Sequence, residues 1–96
     1  MDAKLKAKWI KALRSGEYKQ GKTFLYKANE EAYCCLGVLC AINGVSRTKM
    51  ESECTTDIVW FDSGLAKETR SLLGDVMNDQ EGKSFAEIAD WIEANL

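Results

Sequence analysis

Residues 16–23 read Gly-Glu-Tyr-Lys-Gln-Gly-Lys-Thr and fit the phosphate-loop spacing G-x-x-x-x-G-K-[ST] at every position. In a phosphate loop a strand delivers the glycines and a helix follows, so backbone N–H groups and the helix dipole converge on phosphate. Here the order is reversed: residues 3–14 read as a helix, and Thr23-Phe24-Leu25-Tyr26 reads as a strand. At 96 residues the chain is also short for a nucleotide-hydrolase sheet with a magnesium-holding acid at a second strand end. Nucleotide hydrolysis is therefore not expected, and the plain reading is a helix-to-strand connector whose glycines permit turns. The stretch still carries charge. Arg14, Lys19, Lys22 and Lys27, with Tyr18 and Tyr26, form a set able to surround an anion and stack on a base. Arg14 offers the planar fork that matches phosphate best. The competing reading of the same residues is a solvated basic surface.

Other reactive side chains point to less chemistry. A nucleophilic cysteine needs a base or a cationic setting to form thiolate. The chain has no histidine, and Cys34, Cys35 and Cys40 lie in apolar company. The spacing C-C-x4-C with a distant Cys54 is not a zinc pattern, so reduced, buried thiols are expected, with no metal and no cofactor. Glu51, Glu53 and Asp57 lack the regular oxygen spacing of a calcium loop. With Trp60 and Phe61 they instead make a candidate interface, an acidic docking surface or nucleic-acid mimic.

Charge is distributed unevenly. Residues 1–28 hold eight basic and two acidic side chains (+6), and the other 68 hold five and thirteen (−8). A basic head on an acidic body favours an anion site on the head, or head-to-body pairing between copies, and hence a homo-oligomer. Duplex binding through the first helix is disfavoured, because the acidic body repels it. With 46% hydrophobic and 29% charged residues the composition is that of one globular domain, residues 1–96. No apolar run reaches the length of a membrane span, and no secretory signal is evident. A cytoplasmic protein is expected.

These residues must be positioned by a small α+β domain, mostly helical, with about four helices and a short antiparallel hairpin. Leu5, Trp9 and Leu13 give residues 3–14 an amphipathic face, with Asp2 as cap and Gly16 as stop. Residues 15–22 read as a loop; 23–27 and 32–35, around a polar turn at 28–31, read as the hairpin. The run 35–43 is apolar all round, a buried helix ended by Asn43-Gly44. Polar 45–57 reads as a loop and 57–61 as a brief extended run. Ser63 is expected to cap a helix that Gly74 ends. Ser84-Phe85-Ala86-Glu87 is a capping box, followed by a Phe85, Ile88, Ile92, Leu96 stripe. Opposite it lie Glu87, Asp90 and Glu93, an acidic face suited to oppose the basic first helix.

Three blocks then stand out together: W-x-x-A-L-R-S-G-x-Y-K-Q-G-K from Trp9, Y-C-C-L-G-V-L-C from Tyr33, and M-N-D…S-F-A-E-I-A-D-W-I-E from Met77. In these the chain resembles small proteins encoded by bacteriophages and prophages. The resemblance implies a viral accessory protein in the host bacterial cytoplasm and, by analogy, one that counters host defence. The leading expectation is a non-enzymatic protein that sequesters a phosphate-bearing, nucleotide-type signal through the 14–27 connector. The alternatives are an inhibitor that binds a host defence enzyme through its acidic surface, and a nucleic-acid-binding regulator acting through the first helix.

Overall fold

The computed structural model describes residues 1–51, 53, 58 and 60–96. Helix α1 (Ala3–Arg14) begins where the Asp2 carboxylate accepts from the Leu5 N–H at 2.9 Å. Gly16, at φ +77°, then turns the chain away from it. The inner face of α1 buries Trp9, Ile10 and Leu13. The Trp9 indole N–H donates to the Cys35 carbonyl at 2.9 Å, which satisfies that buried donor and ties α1 to the next helix.

The hairpin forms, but it is shorter than expected and has a third strand. Strands β2 (Tyr26–Lys27) and β3 (Ala32–Tyr33) pair antiparallel, with Tyr26 opposite Tyr33 and Lys27 opposite Ala32. Thr23, at φ +75°, breaks the expected 23–27 strand before Tyr26. The expected 15–22 loop contains strand β1 (Lys19–Gln20), which pairs parallel to β3, giving the order β1-β3-β2. The Gly21 N–H extends this pairing to the Tyr33 carbonyl at 2.7 Å.

Helix α2 (Cys35–Ile42) is the buried centre, as its uniformly apolar sequence requires. The Cys34 sulfur accepts from the Gly37 N–H, and Gly44, at φ +81°, follows its end. Gly37 lies against the backbone of Leu25, whose carbonyl oxygen a Cβ would strike. The expected 45–57 loop contains a short helix, α3 (Arg47–Met50), capped by Ser46 and anchored by fully buried Met50.

The next expected helix is also revised. Ser63 does not cap it: its hydroxyl accepts from the Leu65 N–H at 3.2 Å, leaving Ala66 as the cap of α4 (Lys67–Ser71). Gly74 does not end it either, because the chain continues as a π-helix (Leu72–Gln80) in which Leu73, Gly74, Met77 and Asn78 are buried. Burial of that face outweighs the weak helix propensity of glycine. The wide turn is visible where the Glu81 N–H reaches back five residues to the Val76 carbonyl at 2.8 Å. Helix α5 (Phe85–Asn95) starts with the expected capping box and packs Phe85, Ile88, Ala89 and Ile92 into the core beside α1. No helix among the described residues is long and apolar enough to cross a membrane.

Candidate functional site

The connector set divides into three places. Arg14 ends α1 and faces α5, where its Nη2 contacts Asp90 at 2.7 Å and its Nη1 contacts Glu93 at 3.2 Å. Hydrogen bonds to Glu93 and then Asp90 raise the pKa of the guanidinium further. Its fork is thus matched to two carboxylates of the same chain, the opposition expected between the acidic last helix and the basic first one. The Lys22 amine lies beside Gly82, at the joint between the π-helix and α5. Tyr18, Lys19, Tyr26 and Lys27 remain with the sheet, Lys19 and Lys27 both in register with Ala32.

The two tyrosines of this last group meet at Tyr33, which the sequence reading did not select. Its ring lies 4.8 Å from that of Tyr26, tilted 52°, and meets Tyr18 edge to face at 5.2 Å. Arg47 crosses from α3 over both inner rings, with Cζ 5.4 Å from the Tyr26 centroid and 6.0 Å from that of Tyr33. Its Nε donates to the Tyr33 hydroxyl at 2.9 Å, and that bond raises the guanidinium pKa further. The hydrogen bond at Nε and the rings beneath hold the guanidinium in place. Its two terminal amino groups make no hydrogen bond among the described residues.

Tyr26 and Tyr33 are 4% and 6% exposed, so neither offers an open ring to a base; they brace Arg47 instead. Beside Tyr26 lies a recess of about 200 Å³ lined also by Phe24, Lys27, Ala28, Asn29 and Glu51. It admits one small group, since pockets that enclose a whole small-molecule ligand start at about 300 Å³. Lys27 pairs with Glu30 at 2.8 Å, which holds the Glu30 carboxyl below its usual range. The lining therefore mixes an amine, an amide and a carboxylate.

The hairpin turn at 28–31 already implies the Tyr26–Tyr33 pairing by register. No sequence signal identifies Arg47, because its contact depends on the α3 turn. A second group missed by sequence is the Gln20–Asn78 amide pair. The Asn78 side chain, fully buried, donates to the Gly21 carbonyl at 2.8 Å and accepts from the Gln20 amide at 2.9 Å. Gln20 also donates to the Lys83 carbonyl and accepts from the Phe85 N–H. The middle of the phosphate-loop match is thus fastened to the π-helix and to the start of α5. No helix follows Thr23 to aim a dipole at a phosphate.

Of the acidic set, Glu51 and Glu53 lie beside β2 and the residue before it. Glu51 bridges to Tyr26, and the Glu53 carbonyl accepts from the Leu25 N–H at 3.0 Å, with both side chains exposed. Trp60 and Phe61 are half-buried against the core. Asp57 and Cys54 lie outside the described residues. Cys34, Cys35 and Cys40 are buried free thiols. Burial pushes Cys34 and Cys40 up to about 12 and Cys35 well above its ordinary value, which suppresses thiolate chemistry at all three.

No curated protein and no solved structure matches the chain. A family model, that of a domain of unknown function, DUF8296, matches residues 1–65, a stretch that holds α1, the sheet, α2 and the Arg47 helix. The chain belongs to the DUF8296 family.

Proposed function

We propose that this protein is a non-enzymatic binder of a phosphate-bearing, nucleotide-type anion, held at the Tyr26–Tyr33–Arg47 face of the sheet. The observation that carries the reading is the Arg47 guanidinium, fixed from behind at Nε by Tyr33 and from below by two rings. Its terminal donors are left for a bidentate acceptor such as phosphate. The mixed recess beside Tyr26 suits a hydrogen-bonding group of the same ligand. Holding rather than turnover fits the side chains nearby: no histidine is present, and three of the four thiols are buried.

With its resemblance to bacteriophage and prophage proteins, the chain is read as an accessory protein of the host bacterial cytoplasm. There it sequesters a nucleotide signal of host defence. Its basic head and acidic body favour self-association while it does so.

The test is a thermal-shift panel of linear and cyclic nucleotides. A binding nucleotide raises the melting temperature of wild type and of Arg14→Ala, and the shift is lost in Arg47→Ala. A nucleotide shift that survives Arg47→Ala and disappears in Arg14→Ala would move the site to the α1–α5 face.

A further inference from the structure

The recess beside Tyr26 carries polar groups that the fold leaves unused. Of its two charged side chains among the described residues, Lys27 is paired with Glu30 at 2.8 Å. The Glu51 carboxylate and the Asn29 amide make no hydrogen bond or ion pair among the described residues. Phe24 adds a half-buried ring, held by a tight turn in which its N–H donates to the Lys22 carbonyl at 2.9 Å across Thr23, at φ +75°. A carboxylate only accepts hydrogen bonds and repels phosphate, so this recess calls for the donor-bearing part of a ligand. At about 200 Å³ it has room for one planar base but not for the sugar and phosphates as well.

Tyr26 joins the recess to Arg47. It lines the one and lies under the other, with Arg47 Cζ 5.4 Å from its ring centroid. Glu51 follows Arg47 by one helical turn, and its N–H donates to the Arg47 carbonyl at 2.9 Å. A nucleotide lying across Tyr26 would put its base beside Glu51 and its phosphate beside the guanidinium.

The donor pattern then selects among bases. A carboxylate is best matched by two adjacent donors, one to each oxygen. Guanine presents that pair, N1–H beside the 2-amino group. Adenine and cytosine place an amine beside a ring nitrogen that accepts, and uracil places one N–H between two carbonyls. The oxygen next to the guanine N1–H accepts from an amide such as that of Asn29.

We propose that the recess reads guanine: Glu51 accepts from N1–H and the 2-amino group, Asn29 donates to O6, and Phe24 packs on the base. The phosphate stays on Arg47. This rests on the nucleotide reading proposed above and names the base it takes.

The test is calorimetric titration of wild type, Glu51→Gln and Arg47→Ala with the 5′-monophosphates and 3′,5′-cyclic monophosphates of guanosine, inosine, adenosine and cytidine. Glu51 is exposed, and an unchanged melting temperature would show that Glu51→Gln folds. Wild type should bind the guanosine compounds about tenfold or more tighter than the adenosine and cytidine ones, the range for hydrogen bonds to a charged group. Inosine keeps N1–H without the 2-amino group and should fall between them. Glu51→Gln should weaken guanosine binding about tenfold or more and leave adenosine binding no weaker. Arg47→Ala should weaken all of them. A wild type that binds none of the compounds, or binds them no better than Arg47→Ala does, overturns the nucleotide reading at Arg47 and the guanine assignment with it. Binding that needs Arg47 but is as tight for another base, or a guanosine preference that survives Glu51→Gln, overturns the guanine assignment and leaves the Arg47 reading standing.

Discussion

Asn78→Ala tests whether the connector is held by the π-helix. The asparagine is fully buried, and its amide serves three polar groups at once: the Gly21 carbonyl at 2.8 Å, Gln20 Nε2 at 2.9 Å and Asp79 Oδ1 at 2.9 Å. Truncation leaves Gln20 its bond to the Lys83 carbonyl at 2.7 Å but removes the side-chain donor to the Gly21 carbonyl. An unsatisfied buried acceptor costs about 1–3 kcal/mol, and the lost Gln20 bond adds about 1 kcal/mol. The expected loss is therefore roughly 2–4 kcal/mol, which lowers the melting temperature of a domain this size by at least about 8 °C. Gln20→Ala should also be destabilising. In a double-mutant cycle the pair should couple by about 0.5–3 kcal/mol, because the two side chains share one hydrogen bond. Thermal and urea unfolding by circular dichroism measures all four corners of the cycle. An Asn78→Ala protein that melts within about 4 °C of wild type, or a cycle with additive corners, would refute the idea that this amide pair fastens the connector.

Other outcomes follow from particular contacts. Gly37→Ala places a Cβ against the Leu25 carbonyl and should cost about 3 kcal/mol or more, against about 1–2 kcal/mol for Gly16→Ala, where only the positive φ opposes the change; comparable urea midpoints would contradict the close approach. The Ser84 backbone N–H and hydroxyl hold the Glu87 carboxyl below its usual range, so its contribution to stability is present above the unfolded-state pKa and is lost as pH falls through the folded one. Glu87→Gln keeps a capping amide and should flatten the acid limb of the stability profile; an unaltered limb would be the contrary result. Cys34, Cys35 and Cys40 should resist an aromatic disulfide reagent at mildly alkaline pH and react only on unfolding, as peptide mapping of labelled protein would reveal; fast native labelling at any of the three would mean that the α2 core opens.

Elements with local signals were legible in the sequence. Asp2, the Ser84–Glu87 box and the all-apolar 35–42 run fixed three helices, since caps and periodicity act within one or two turns. The α1–α5 charge opposition was legible too, because Arg14 and the Asp90/Glu93 pair lie on facing stripes. Features whose cause lies far along the chain were not. Lys19-Gln20 becomes a strand only because β3 offers an edge, and Gly74 stays helical only because its neighbours bury against α2. Ser63 looks like a cap, yet its hydroxyl closes a local turn onto Leu65. Of the connector set, Lys19, Tyr26 and Lys27 fall in the strands with Tyr18 just before them, whereas Arg14 faces α5 and Lys22 lies beside Gly82. Arg47, the cation over the rings, comes from a stretch read as a loop, and its position depends on a helix of one turn.

Sequestration at Arg47 is tested most directly by what the protein carries out of the cell. Wild type and Arg47→Ala would be purified from phage-infected, defence-active bacteria and denatured by heat, and the released small molecules identified by mass spectrometry. The expected result is a phosphorylated nucleotide released by wild type in near-stoichiometric amount and depleted about tenfold or more from Arg47→Ala, the range for a lost charge-assisted hydrogen bond. Wild type that releases no nucleotide, or an Arg47→Ala protein that releases as much as wild type, would contradict it.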